Sequence, residues 1–186
     1  GNKIGKGKKI TILHTNDTHS NIDPFPSNHP KYPGMGGVAK RAALIEKIRK
    51  EEENVVLLDS GDIFQGTPYF NTFKGELEMK LMTYMGYDAA TMGNHDFDIG
   101  LDGFLNAKQY AEFPFVCSNY DFDKTILAGK TQKNCIIKRG GIRIGIFGIG
   151  IALEGLISGG NCVNVVYLDP IKTANEQADE LDPVPH

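Results

Sequence analysis

Three short apolar runs in this chain each end in a cluster of Asp, His or Asn, and that repetition constrains the fold more than any other feature. The first run, Lys9-Ile10-Thr11-Ile12-Leu13, leads through His14-Thr15-Asn16 to Asp17 and His19. The second, Val55 to Leu58, leads into Asp59-Ser60-Gly61-Asp62. The third, Ala89 to Met92, leads into Gly93-Asn94-His95-Asp96-Phe97-Asp98. Short β-branched and aliphatic runs of this kind read as buried parallel strands. In an open α/β sheet the carboxyl ends of such strands share one edge, and ligands bind there. The three clusters are therefore expected to meet. An Asp and a His separated by one residue present a hard oxygen and an imidazole on one side of a loop, a donor set suited to a divalent metal. One such cluster alone is ordinary polar-loop chemistry; three in succession point to a site, with Gly61 allowing close backbone approach.

The intervening segments read as helices, which gives an α/β fold class with a mixed sheet flanked by helices. Val38, Arg41, Ala42, Leu44, Ile45 and Ile48 form a helical stripe that opens after Gly36-Gly37 and ends in the charged stretch Arg49 to Glu53. A second helix is predicted over Glu76 to Met85, with Leu77, Leu81 and Met85 on its inner face and Gly86 as its stop. Its methionines read as core filler. A third helix over Leu101 to Glu112 precedes a short strand at Phe115-Val116-Cys117. Asn134 to Lys138 and Ile142 to Phe147 read as a hairpin about Gly140-Gly141. Asp169-Pro170 opens a last helix to Leu181, because Asp caps and Pro fits the first turn. The Pro- and Asn-rich stretch Asn21 to Pro33 reads as a loop rimming the functional face. His14 is expected to be buried and hydrogen-bonded, His29 to be an exposed loop residue, and Asn119 to serve a turn. Gly145 to Gly150 looks like a dinucleotide loop, but its order is Gly-x-x-Gly-x-Gly and the acid such a loop needs downstream is missing.

At 186 residues the chain is one domain or part of one. Its net charge of −3 excludes the basic stripe of a general nucleic-acid surface. Lys3, Lys6, Lys8 and Lys9 form a basic cluster that reads as a solvated tail. No apolar run reaches the length of a membrane span, and no signal peptide is visible. Cys117, Cys135 and Cys162 are scattered without metal-site spacing, so they read as buried thiols, with one disulfide left open.

The stretches Leu13 to His19, Gly61 to Pro68 and Gly93 to Asp98 together resemble the metallophosphoesterase (calcineurin-like) superfamily. The resemblance is closest to its branch of 5′-nucleotidases and 2′,3′-cyclic phosphodiesterases and runs from about Lys9 to about Leu181. It implies the first half of a four-layer α/β/β/α sandwich and a dinuclear centre of divalent ions such as Mn²⁺ or Zn²⁺. By the same resemblance Asp17 and His19 bind one metal, Asp62 bridges both, and Asn94 binds the second. His95 contacts the phosphate of a nucleotide or other phosphate ester, and Asp98 orients His95. Hydrolysis would proceed by metal-activated water, in an exported protein of the periplasm or cell surface.

The family completes its site with three later histidines, the last two as His-x-His. This chain holds only His14, His19, His29, His95 and His186. The expectation is a chain that stops before the later ligands and lacks the nucleoside-binding second domain. Any metal would then bind weakly, mainly at Asp17, His19 and Asp62. Three readings follow: a phosphoesterase acting on nucleotides or related phosphate esters, a catalytically incomplete fragment that keeps the fold and half of the metal site, or a simple α/β binding module with polar loops. An exposed sheet face would favour self-association.

Overall fold

Thr15, Asp59 and Ala90 lie side by side in a parallel ladder, at the points where the three apolar runs give way to their polar clusters. The computed structural model describes residues 7–182; Lys3, Lys6 and His186 lie outside the described residues. β1 (Thr11–Thr15) is followed by α1 (Val38–Glu51) and β2 (Val55–Asp59), then by α2 (Pro68–Phe73) and α3 (Glu76–Met85). β3 (Ala89–Ala90) leads through a 3₁₀ turn at His95–Phe97 into α4 (Gly100–Lys108). β4 (Tyr120–Asp121), the hairpin β5 (Asn134–Arg139) and β6 (Ile142–Phe147), β7 (Val166–Tyr167) and α5 (Pro170–Leu181) complete the order. The fold is α/β, with a parallel sheet β1-β2-β3 and two antiparallel pairs, β4-β7 and β5-β6. Single parallel bridges from Ala90 to Phe115 and from Val116 to Gln132 extend the parallel order outward from β3.

β2 is buried along almost its whole length, as a central parallel strand must be. The core beside it is built from Leu57, Ile63, Phe64, Met79, Met92, Phe97, Phe104 and Phe115, each at most 1% exposed. Removing side chains of this size from water stabilises the fold by about 1.5–3 kcal/mol apiece. Met79, Met82 and Met85 are all buried, as core filler should be. No helix among the described residues is long and apolar enough to cross a membrane.

Several expectations are corrected by the packing. β1 is an edge strand half-buried on one face and exposed on the other: Ile12 is 58% exposed and His14 is exposed too, so His14 is not a buried histidine. In α1 the inward positions are Val38 and Ile45, while Leu44 faces solvent. In α3 the inner face is rotated to Glu78, Met79, Met82 and Met85, leaving Leu77 and Leu81 half-buried. α4 ends at Lys108 because the chain tightens into i→i+3 bonds, Tyr110 N–H to Ala107 O and Ala111 N–H to Lys108 O, ahead of Pro114. Phe115-Val116-Cys117 makes bridges rather than a regular strand. α2 is too short to show a helical period in the sequence; Pro68 opens it at a position where the missing N–H costs nothing.

The hairpin and α5 form as the sequence indicates, and the Asp169 side chain accepts the Lys172 N–H at 2.7 Å. Cys117 is buried, Cys135 and Cys162 are half-buried, and all three are free thiols. His29 is ordered rather than merely exposed: its Nδ1 accepts the Tyr32 N–H at 2.9 Å, and its ring stacks on Tyr32 and Phe25. Gly148 and Gly150 are packing glycines, since a Cβ would sit 2.1 Å from Val116 O and 2.2 Å from the Tyr120 hydroxyl respectively. Asn119 is fully buried and bridges to Gly150, donating to its carbonyl at 2.9 Å and accepting its N–H at 2.7 Å.

Candidate metal centre

Beyond the end of the β1–β2 ladder the two chain segments stay joined by backbone bonds. Ser60 N–H donates to Thr15 O, Asp17 N–H to Gly61 O, His19 N–H to Asp62 O and Ser20 N–H to Ile63 O, at 2.9–3.0 Å. Strand geometry cannot be kept along this stretch. Asp17, His19, Ser20 and Asp62 all adopt left-handed φ, between 44° and 55°. Left-handed backbone at non-glycine residues costs of order 1 kcal/mol or more each, and such strain gathers at functional sites. Its effect here is to turn the side chains of Asp17, His19 and Asp62 toward one point, with one ligand atom from each lying within 4.8 Å of the others.

The third cluster closes against this loop pair through two glycines. A Cβ on Gly61 would lie 2.3 Å from Gly93 N, and one on Gly93 would lie 2.2 Å from Asp62 Oδ1. Gly61 also has φ +94°, so both conformation and space demand glycine. The His95 N–H donates to Asp62 Oδ1 at 2.8 Å, which fixes the carboxylate that the second and third clusters share.

His19 Nδ1 lies 3.1 Å from Phe64 O. With Nδ1–H donating to that carbonyl, Nε2 keeps its lone pair for a metal. Nε2 lies 3.6 Å from Asp17 Oδ1, and the Asn16 amide donates to the other Asp17 oxygen. Two carboxylates and a neutral imidazole fit a hard or borderline divalent cation, so the residues present suit the ion that the resemblance implies. Asn94 precedes His95 as the first residue of the same turn and is half-buried. The His95 ring meets the His19 ring edge-on, with centroids 5.1 Å apart. His95 Nδ1 lies 2.7 Å from Asp98 Oδ2, and this hydrogen bond raises the His95 pKa above its usual 6.5.

Two structural carboxylates in the site are not evident from sequence as functional residues. Asp96 is fully buried and accepts four backbone N–H groups, from Asp62, Ile63, Phe64 and Gly93, at 2.8–3.2 Å. It clamps the second cluster to the third. Burial pushes its pKa up to about 7, against the amides of Gly93 and Phe64, which favour the ionised form. Asp59 accepts the Thr15 hydroxyl at 2.5 Å and the Gly61 N–H at 2.9 Å. Burial raises its pKa to about 6, opposed by those two bonds and by the charge of Arg41. The signal available in sequence is position: Asp59 ends an apolar run and Asp96 falls in the polar cluster after the next one, and a buried carboxylate is retained only if donors surround it.

A groove of about 830 Å³ opens beside Asp17, between α1 and the Pro-rich loop. Phe25, Met35, Leu44 and Tyr69 form its apolar walls, and Lys40 and Arg41 its cationic side. The loop thus rims the face that carries the site.

A parallel sheet whose strand ends gather two carboxylates, an imidazole and a His–Asp pair defines an α/β fold with a candidate metal centre at one sheet edge. The calcineurin-like phosphoesterase family model matches residues 10–181, and the chain belongs to that family. It is 40% identical over 147 residues to a snake venom 5′-nucleotidase of Gloydius brevicauda, covering 75% of this chain and 25% of that protein. It is 33% identical to the 5′-nucleotidase of Mus musculus, covering 93% of this chain and 31% of that one. The solved 5′-nucleotidase precursor of Thermus thermophilus superposes with a TM-score of 0.85 at 34% identity, over 92% of this chain and 34% of that chain. This chain therefore spans a quarter to a third of the length of these relatives.

Proposed function

We propose that this chain carries the metal-binding half of a phosphoesterase site, and that the protein it represents hydrolyses phosphate esters, nucleotides among them. The observation that carries this reading is the convergence of Asp17, His19 and Asp62 within 4.8 Å, with the His95 ring against His19. Asp17, His19 Nε2 and Asp62 would hold one divalent ion, and Asp62 with Asn94 would reach a second. A divalent ion such as Mn²⁺ or Zn²⁺ held there would supply positive charge to neutralise a phosphate and to make a water more acidic. His95, held by Asp98 and favoured in its protonated form, donates to a phosphate or leaving-group oxygen. The nucleotide preference is supported by the names of the relatives. Export belongs to the same proposal, supported by the similarity to venom proteins.

A second reading, a domain that keeps the fold and only part of the metal site, is favoured by one observation: among the described residues only Asp17, His19 and Asp62 bring His, Cys, Asp or Glu ligand atoms within 4.8 Å of one another. Calorimetric titration of Mn²⁺ into stripped protein, followed by an assay with AMP, separates the two. Two tightly bound ions and AMP hydrolysis support the first reading. One weakly bound ion without turnover supports the second, and no Mn²⁺ binding overturns both.

A further inference from the structure

Among the described residues five buried side-chain polar atoms have no hydrogen-bond partner, and four of them belong to residues lining one cavity. They are Ser20 Oγ, Arg41 Nε, and both carboxylate oxygens of Glu78. The cavity measures about 10 Å³ and lies between the loop after His19, α1 and α3, with apolar Ile22, Val38 and Ile63 in its walls. Glu78 is 4% exposed and Ser20 2% exposed, so bulk water does not reach them. Buried polar atoms, charged ones above all, are retained only with partners. The space suits a single water.

The unsatisfied groups add up to what one water can serve. Glu78 brings two acceptors, while Arg41 Nε–H and Ser20 Oγ–H bring two donors. One water offers two hydrogens and two lone pairs, which closes the set. We infer that Arg41, Glu78 and Ser20 form a buried one-water site that holds the Asp17–Ser20 loop in its metal-binding conformation. This rests on the proposed metal role of that loop. Ser20 is the residue through which the effect passes. It follows His19 directly, has φ +52°, donates its N–H to Ile63 O at 2.9 Å, and accepts the Thr67 hydroxyl at its carbonyl at 2.8 Å. Anchoring its side chain to α1 and α3 fixes the left-handed run that aims Asp17 and His19. Glu78 is therefore a positioning residue.

Three measurements on the whole chain test this. A crystal structure should show one ordered water contacting Ser20, Arg41 and Glu78; a dry cavity with a direct Arg41–Glu78 ion pair overturns the inference. Glu78→Met, which keeps the volume and removes the acceptors, should speed hydrogen exchange at the His19 and Ser20 amides in metal-free protein. It should also weaken Mn²⁺ binding about tenfold, as loss of an outer-shell partner does, while Glu78→Gln loses less. If Glu78→Met does not fold, Ser20→Ala takes its place with the same expected direction. Wild-type exchange and wild-type Mn²⁺ affinity in the folded variants overturn the inference. Failure of the wild-type protein to bind Mn²⁺ would instead overturn the metal role, leaving the exchange and the ordered water to decide the site.

Discussion

His95 Nδ1 and Asp98 Oδ2 lie 2.7 Å apart, three residues apart in sequence and on one 3₁₀ turn. The pairing raises the His95 pKa because the carboxylate both accepts a hydrogen bond from the ring and attracts its positive charge. Asp98→Asn should bring that pKa back toward 6.5, read by NMR titration of the ring in metal-free protein. A histidine whose folded pKa is raised contributes its stability fully below the unfolded value and loses it as pH rises through the folded one. The difference in stability between wild type and Asp98→Asn should therefore be largest below pH 6.5 and shrink above it. The ring is 39% exposed, which keeps the effect small. An unchanged titration curve would show that Asp98 does not tune His95.

Asp62, the proposed bridging ligand, joins the second cluster to the third through the His95 N–H. Asp62→Asn keeps an oxygen for the His95 N–H yet removes the charge that a metal requires. Mn²⁺ affinity should fall by at least about 100-fold, beyond the range seen for outer-shell changes, with far-UV circular dichroism retained. Calorimetric titration reads the affinity directly.

Asp96 binds no metal on this reading, yet its loss should be felt by the whole fold. Asp96→Asn puts an NH₂ where a carboxylate oxygen meets backbone N–H groups, leaving buried donors unpaired. The cost should be about 2–4 kcal/mol in denaturant unfolding, the range for charged acceptors and orphaned buried groups. A variant as stable as wild type would refute the clamp.

Gly93 leaves no room for a side chain against Asp62, with 2.2 Å to Oδ1 and 2.5 Å to the backbone N. Gly93→Ala should therefore lower both thermal stability and Mn²⁺ affinity. Wild-type Mn²⁺ affinity in a folded Gly93→Ala would show that Asp62 is not positioned by this contact.

Burial pushes the Cys117 thiol up to about 12, so its thiolate is scarce at neutral pH. A thiol reagent at pH 7 should modify Cys117 only after denaturation, while Cys162 and Cys135 react earlier. Mass spectrometry of the labelled peptides checks the order.

The local structure of this chain was legible because its signals are local. Strand β2, the bounds of α3 with its Gly86 stop, the hairpin and the Asp169 cap all follow from short-range periodicity, glycine conformation and capping. So did the grouping of Asp17, His19, Asp62 and His95, since parallel strands deliver their ends to one edge. Which face of α3 turns inward, the exposure of His14, and the structural tasks of Asp59 and Asp96 depend on what packs against them. That is a property of neighbours distant in sequence. The sequence by itself determined which polar residues gather and that they share one sheet edge. Only the tertiary structure decided how they aim, because left-handed backbone at Asp17, His19 and Asp62 is tolerated only where the Gly61–Gly93 contact and the Asp96 amide clamp enforce it.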